Sequence, residues 1–153
     1  MVTLNTEMDR TLFFDFLPLE LGEIAGFKTR FHLYTVPGQV FYEASRRLIL
    51  KGADGVIFVA DSAGDRMDAN YEALRDLKEN LRVYNQSISE LPYALQLNKR
   101  DLTDAQQKEY LIDELSLRDE PIFEAVAIEN QGVQETLRDV ARQILRKLKR
   151  EMT

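Results

Sequence analysis

The stretch Asp54-Gly55-Val56-Ile57-Phe58-Val59-Ala60-Asp61 decides the fold. Its apolar run from Val56 to Ala60 is short and has no polar alternate. That pattern predicts a strand buried on both faces, which needs a covering layer on each side. The covering segments lie just downstream. Ala69 to Tyr84 carries Leu74, Leu77, Leu81 and Tyr84 at helical spacing. Tyr93-Ala94-Leu95-Gln96-Leu97-Asn98 reads as a second buried strand, and Pro121 to Val126 as a third. Thr103, with Gln106 three residues on, suggests a capping box opening a short helix between them. Gly132 to Arg150 predicts a final helix, with Val133, Leu137, Val140, Ala141, Ile144, Leu145 and Leu148 on one face.

Upstream, Thr11 to Leu17 is aromatic-rich and reads as a strand. Phe27 to Val36 alternates strictly: Phe27, Phe31 and Leu33 share one face, and Lys28, Arg30 and His32 the other. Between them, Pro18 to Gly26 predicts a hairpin connection and antiparallel pairing. Val40 to Leu50 is helix-compatible through Phe41, Ala44 and Leu48, and Gly52 ends it. The order is β-β-α-β-α-β-α-β-α. Buried strands alternating with amphipathic helices predict an α/β domain with a mainly parallel sheet covered on both faces. Ligands of such sheets bind at the carboxyl ends of the strands.

A length of 153 residues predicts one domain with a substantial core. Apolar residues at 44% and charged residues at 30% are globular proportions. The formal net charge of −6 disfavours nucleic acid and contact with an anionic membrane. The absence of cysteine excludes disulfides, thiol nucleophiles and thiolate metal sites. A single histidine, His32, excludes a multi-histidine metal site. The first ten residues carry acidic side chains and no apolar stretch of signal-peptide length, and no apolar run approaches the ~20 residues of a membrane span. A cytoplasmic protein is expected.

Asn98-Lys99-Arg100-Asp101 sits at a strand's carboxyl end. A carboxylate there can accept two parallel hydrogen bonds from the N–H groups of a guanine edge, which adenine lacks. The Asn amide can donate and accept nearby, and the Lys stem can cover the base's flat face. The same tetrapeptide also suits a polar strand-to-helix turn with an Asp cap. Val36-Pro37-Gly38-Gln39 follows another strand end. Gly38 can bring its N–H close to an anion, and Gln39 can orient an attacking water. Taken alone, the run reads better as a plain Pro-Gly turn followed by a helix start. Arg10-Thr11 offers a guanidinium for charge on a transferring phosphate and a hydroxyl for Mg²⁺, or simply a charged entry to an edge strand.

Together these pieces resemble the Ras-like small GTPases, and within them the bacterial gliding-motility (MglA-type) branch. Asp9 to Leu19, Phe27 to Tyr42, Asn98 to Asp101 and Ala125 to Val133 carry the resemblance, which covers essentially the whole chain. The run Thr35-Val36-Pro37-Gly38-Gln39 is distinctive, since most small GTPases have Asp at the position of Thr35. The resemblance implies a P-loop NTPase (Ras-like) three-layer sandwich with one antiparallel edge strand, and a switch that binds GTP or GDP with Mg²⁺ and hydrolyses GTP. It implies Asn98, Lys99, Asp101 and the backbone of Ala127 as guanine readers. Ile128 stands where the family has Lys. Thr11 is implied to face Mg²⁺ and the γ-phosphate, Gly38 to serve the nucleotide, Gln39 to position water and Arg10 to be the arginine this branch supplies from its own chain. A Roadblock-type (MglB-like) activating protein is the implied partner.

The family's phosphate loop, G-x-x-x-x-G-K-[ST], does not occur in the 153 residues. The match begins in the first switch region, so the family's first strand, phosphate loop and first helix are expected to precede Met1. The sequence thus reads as one N-terminally truncated GTPase domain. A nucleotide-free interaction module and a non-functional fragment are the alternatives.

Overall fold

The computed structural model describes residues 2–6, 9–24, 26–36 and 43–152. The chain forms two compact units, Met1–Ala53 and Asp54–Thr153.

In the first unit, β1 (Val2–Thr6), β2 (Asp9–Ile24) and β3 (Phe27–Tyr34) make an antiparallel sheet in that order, and α1 (Glu43–Lys51) follows. The alternation read in β3 is present: Lys28, Arg30 and His32 are exposed while Phe31 and Leu33 are half-buried. The predicted antiparallel pairing of the two aromatic strands also holds.

Its details differ from the sequence reading in three ways. Pro18 to Gly26 is not a long connection. β2 runs on to Ile24, which pairs with Phe27, and Gly26 turns the hairpin at φ 85. Pro18 fits in the strand because β1's register ends at Phe16, so beyond it β2 has a neighbour on one side only among the described residues. The second difference is β1, which was not expected, although Val2 and Leu4 alternate with Thr3 and Asn5. The third lies in α1, where Leu50 is buried and Leu48 exposed, the reverse of the expected stripe. Phe41, the first residue of that stripe, lies outside the described residues.

In the second unit, β4 (Val56–Asp61), β5 (Tyr93–Asn98) and β6 (Ile122–Glu124) form a parallel sheet in that order. Helices α2 (Met67–Val83), α3 (Lys108–Leu115) and α4 (Val133–Glu151) alternate with them, as predicted. Tyr93 to Leu97 of β5 are all buried, so both faces of the central strand are covered. Leu74, Leu77 and Leu81 of α2 and Leu111 and Leu115 of α3 are buried, each contributing ~1.5–3 kcal/mol by leaving water.

Several polar groups within this core are paired, although the buried Tyr93 hydroxyl has no hydrogen-bond partner among the described residues. Gln96 Nε2 donates to Thr136 Oγ1 at 2.8 Å, and Thr136 Oγ1 donates to the Gly132 carbonyl at 2.6 Å. Gln143 of α4 bonds both the N–H and the carbonyl of Tyr93, at 3.0 and 2.9 Å. α4 is thereby stitched to β5 at both ends.

Three expectations are corrected here. β4 is not enclosed on both faces: Phe58 and Ala60 are buried, but Val59 is 51% exposed, because β4 has β5 as its one neighbour among the described strands. Thr103 and Gln106 form no capping box. α3 starts at Lys108, after Gln107, with no side-chain cap, and Gln106 N–H instead donates to the Ser62 carbonyl at 2.8 Å. On α4, Val140 and Ala141 of the predicted face are buried, but Thr136 outside it is buried as well and Leu148 near the end is exposed.

Gly132 opens α4 in the left-handed region, φ 82, and a Cβ there would fall on the Glu124 carbonyl and 2.9 Å from Ala125 Cα. Gly132→Ala is therefore expected to destabilise the protein by ~2 kcal/mol or more, since the left-handed penalty and the collision act together. Urea unfolding of the two proteins checks this; equal midpoints would exclude it.

Candidate functional site

β4 and β5 end side by side, with Asp61 and Asn98 as register partners. Backbone bonds join the turns that leave these strands. Ser62 N–H donates to the Asn98 carbonyl at 3.1 Å, and Arg100 N–H to the Ala125 carbonyl at 3.2 Å. The carboxyl edge of the parallel sheet is thus one ledge built from three loops.

Asn98 is half-buried, and its Oδ1 accepts the Ala127 N–H at 2.9 Å. This bond ties the tetrapeptide after β5 to the loop after β6. With the oxygen engaged, the Nδ2 hydrogens are the part of the amide free for a ligand's acceptor. Lys99 takes a left-handed backbone, φ 64, and its Nζ donates to Asp61 Oδ2 at 2.9 Å. Arg100 turns away from the ledge. Its Nε pairs with Glu124 Oε1 at 3.2 Å, and its Nη1 donates to the Gln106 carbonyl at 2.6 Å. Lys108 Nζ lies 3.8 Å from the other Glu124 oxygen. Asp101 is exposed, the third residue of the turn that Leu102 N–H closes onto the Lys99 carbonyl at 3.2 Å.

Ala127 begins a single 3-10 turn, Ala127–Glu129, and is exposed. Asn130 ends it at φ 55, and Val126 and Gln131 bridge its base. Ile128, where the resembling family has Lys, is 91% exposed.

The structure therefore brings Asn98 and Ala127 into direct contact and sets Lys99 and Asp101 on the same loop. Arg10 and Thr11 lie within β2, and Thr35 is exposed just beyond β3. Gly38 and Gln39 lie outside the described residues. Sequence reasoning missed Asp61. It read that residue as the end of an apolar run, although a carboxylate closing a strand beside an Asn-Lys strand end was a usable signal. Burial pushes the Asp61 carboxyl up. The Ala63 N–H, the Lys99 ammonium and the Arg66 guanidinium, 3.7 Å away, outweigh that and hold it below the usual 3.8.

Chemically, the ledge offers an exposed carboxylate, amide donors, a backbone N–H region and an aliphatic stem, which suit the edge and face of a guanine. Among the described residues no group of three or more His, Cys, Asp or Glu side chains could hold a metal ion. No helix among them is long and apolar enough to cross a membrane.

The ADP-ribosylation factor family matches residues 17–144 of the chain. The mutual gliding-motility protein MglA of Myxococcus xanthus (strain DK1622) is 57% identical over 150 residues, which are 98% of this chain and 77% of that protein. The GTPase Obg of Bacillus licheniformis is 28% identical over 86 residues, 56% of this chain and 20% of that protein.

The Asp61 ion pair has a pH signature. A carboxylate whose folded pKa lies below its unfolded value stabilises the fold above the unfolded pKa and loses that contribution as pH falls. Wild type is expected to exceed Asp61→Asn by ~0.5–1 kcal/mol between about pH 5 and 8, the range for a partly exposed pair. The gap should close as pH drops below the usual 3.8. Urea titrations of both proteins across that range check it; a gap that widens on acidification would refute the assignment.

Proposed function

The chain belongs to the ADP-ribosylation factor family, as an MglA-type Ras-like small GTPase, and on that premise we propose that its Asn98-Lys99-Arg100-Asp101 ledge reads guanine in a GTP/GDP switch. The observation that carries the reading is the 2.9 Å bond from Ala127 N–H to Asn98 Oδ1. It joins the two loops that must meet for one base to touch both.

In this reading the Asp101 carboxylate accepts both N–H groups of the guanine edge. Adenine cannot supply that pair, so selectivity follows from charge-assisted hydrogen bonding. Asn98 donates through Nδ2, the Ala127 region lies over the base's carbonyl edge, and the Lys99 stem covers its face. Gln39 orients the attacking water, Arg10 stabilises charge on the transferring phosphoryl group, and Gly38 and Thr11 sense the γ-phosphate. Mg²⁺ held through the Thr11 hydroxyl would neutralise phosphate charge. The 153 residues contain no G-x-x-x-x-G-K-[ST], so the chain's own contribution is base reading together with these switch residues. Both units are proposed to serve one GTPase domain. By likeness to the mutual gliding-motility protein, the switch is proposed to act in motility or polarity, with a Roadblock-type activating protein as partner.

The test is a titration with fluorescent GDP and Mg²⁺. It uses the 153-residue chain and the same chain extended by any in-frame upstream coding sequence. Binding displaced by GDP and GTP but not by ADP is expected from the extended protein, and GTP turnover that falls tenfold or more in Gln39→Leu. Asp101→Ala should weaken GDP at least tenfold, since a hydrogen bond to a charged group contributes ~1.5–3 kcal/mol. If neither protein binds guanine nucleotide, the reading is overturned in favour of a nucleotide-free interaction module.

A further inference from the structure

Lys99 holds a backbone conformation that residues other than glycine rarely adopt, φ 64, and its side chain is 50% exposed. No apolar enclosure fixes it. Asp61 does, through the 2.9 Å bond to Nζ. Most ion pairs at a protein rim join two freely rotating side chains and orient neither. Here one partner is anchored to the core. The Asp61 N–H donates to Asn70 Oδ1 at 3.0 Å, and its carbonyl accepts from Asn70 Nδ2 at 2.9 Å. Its Oδ1 accepts the Ala63 N–H at 3.0 Å, which leaves Oδ2 aimed at Lys99. Asn70 is buried on α2, so the clamp belongs to the helix packing. Arg66 Nε, 3.7 Å from Oδ2, is the other cation facing this carboxylate and is the more distant of the two.

We infer that Asp61 is a positioning residue for guanine-nucleotide binding: acting through the Lys99 ammonium, it holds the lysine stem across the flat face of the base. This deepens the reading proposed above and rests on it. The carboxylate touches no part of the nucleotide. Its effect must therefore pass entirely through Lys99, which separates this role from a merely structural one.

A double-mutant cycle reads that dependence. Asp61→Asn keeps the acceptor for Ala63 and removes the charge. Lys99→Met keeps an apolar stem and removes the ammonium. In the GDP-binding protein, Asp61→Asn is expected to raise the GDP Kd threefold to tenfold. In the Lys99→Met background it should change the Kd less than twofold. A readout without nucleotide accompanies it: the rate of Lys99 acetylation by acetic anhydride, followed by mass spectrometry against exposed Lys78. That rate should rise at least threefold in Asp61→Asn. If wild type binds GDP but Asp61→Asn binds it equally well, or loses the same affinity with and without Lys99, the inference fails and the guanine reading stands. If wild type binds no guanine nucleotide, both fall.

Discussion

Enclosure of β5 is the constraint on which the second unit depends. Five consecutive residues, Tyr93 to Leu97, are buried, so no side chain along the strand can meet a solvent-borne ligand. A buried polar group must find its partner inside, and Gln96 does so on Thr136. Chemistry is displaced to the first position where the cover stops, which is Asn98. The same helices that close the faces fix that ledge. α4 holds β5 through Gln143 and Thr136, and α2 holds the end of β4 through Asn70. The packing that stabilises the fold is therefore also what orients the candidate site.

Charge on the ledge is arranged by exclusion. Asp61 is occupied by Lys99, and Glu124 by Arg100 and Lys108. Each of these pairs is partly exposed and contributes modestly to stability, typically below ~1 kcal/mol. Their larger effect is to engage those carboxylates, while Asp101 on the loop between them is exposed to solvent. Arg100 works in the opposite direction to its neighbours in sequence. Its guanidinium is drawn to the Gln106 carbonyl and the Glu124 carboxylate.

Where a periodicity is set by burial, it was legible. The leucine spacing of α2, the largely apolar segment of β5 and the alternation of β3 each correspond to the element formed. Val59 shows the limit: an apolar residue in an apolar run looks buried, but exposure follows from how many neighbours a strand has, and the run does not encode that. Pro18 shows another. Proline marks a break by default, yet it is tolerated where one side of a strand carries no ladder. Thr103 and Gln106 have capping-box spacing, but Gln106 N–H is claimed by Ser62, and a tertiary bond outweighs a local pattern. In the site, the tetrapeptide was legible as chemistry because its residue types are specific. Asp61 was not, since its meaning comes from a register partner and a clamp on another helix, both of which are properties of the assembled sheet.

The candidate base readers all come from residues 98–127, and their supports from 61–132. The residues assigned to phosphate sensing and water positioning come from 10–39. In the proposed reading, recognition of the base and response to the γ-phosphate fall to separate stretches of chain. The ledge has its own anchors: Asn70 under Asp61, Glu124 under Arg100, and Gly132 behind Ala125. In the proposed reading these anchors are distinct from the residues assigned to the phosphates. A switch requires that separation: the base keeps the nucleotide in place while the other stretch responds to the γ-phosphate.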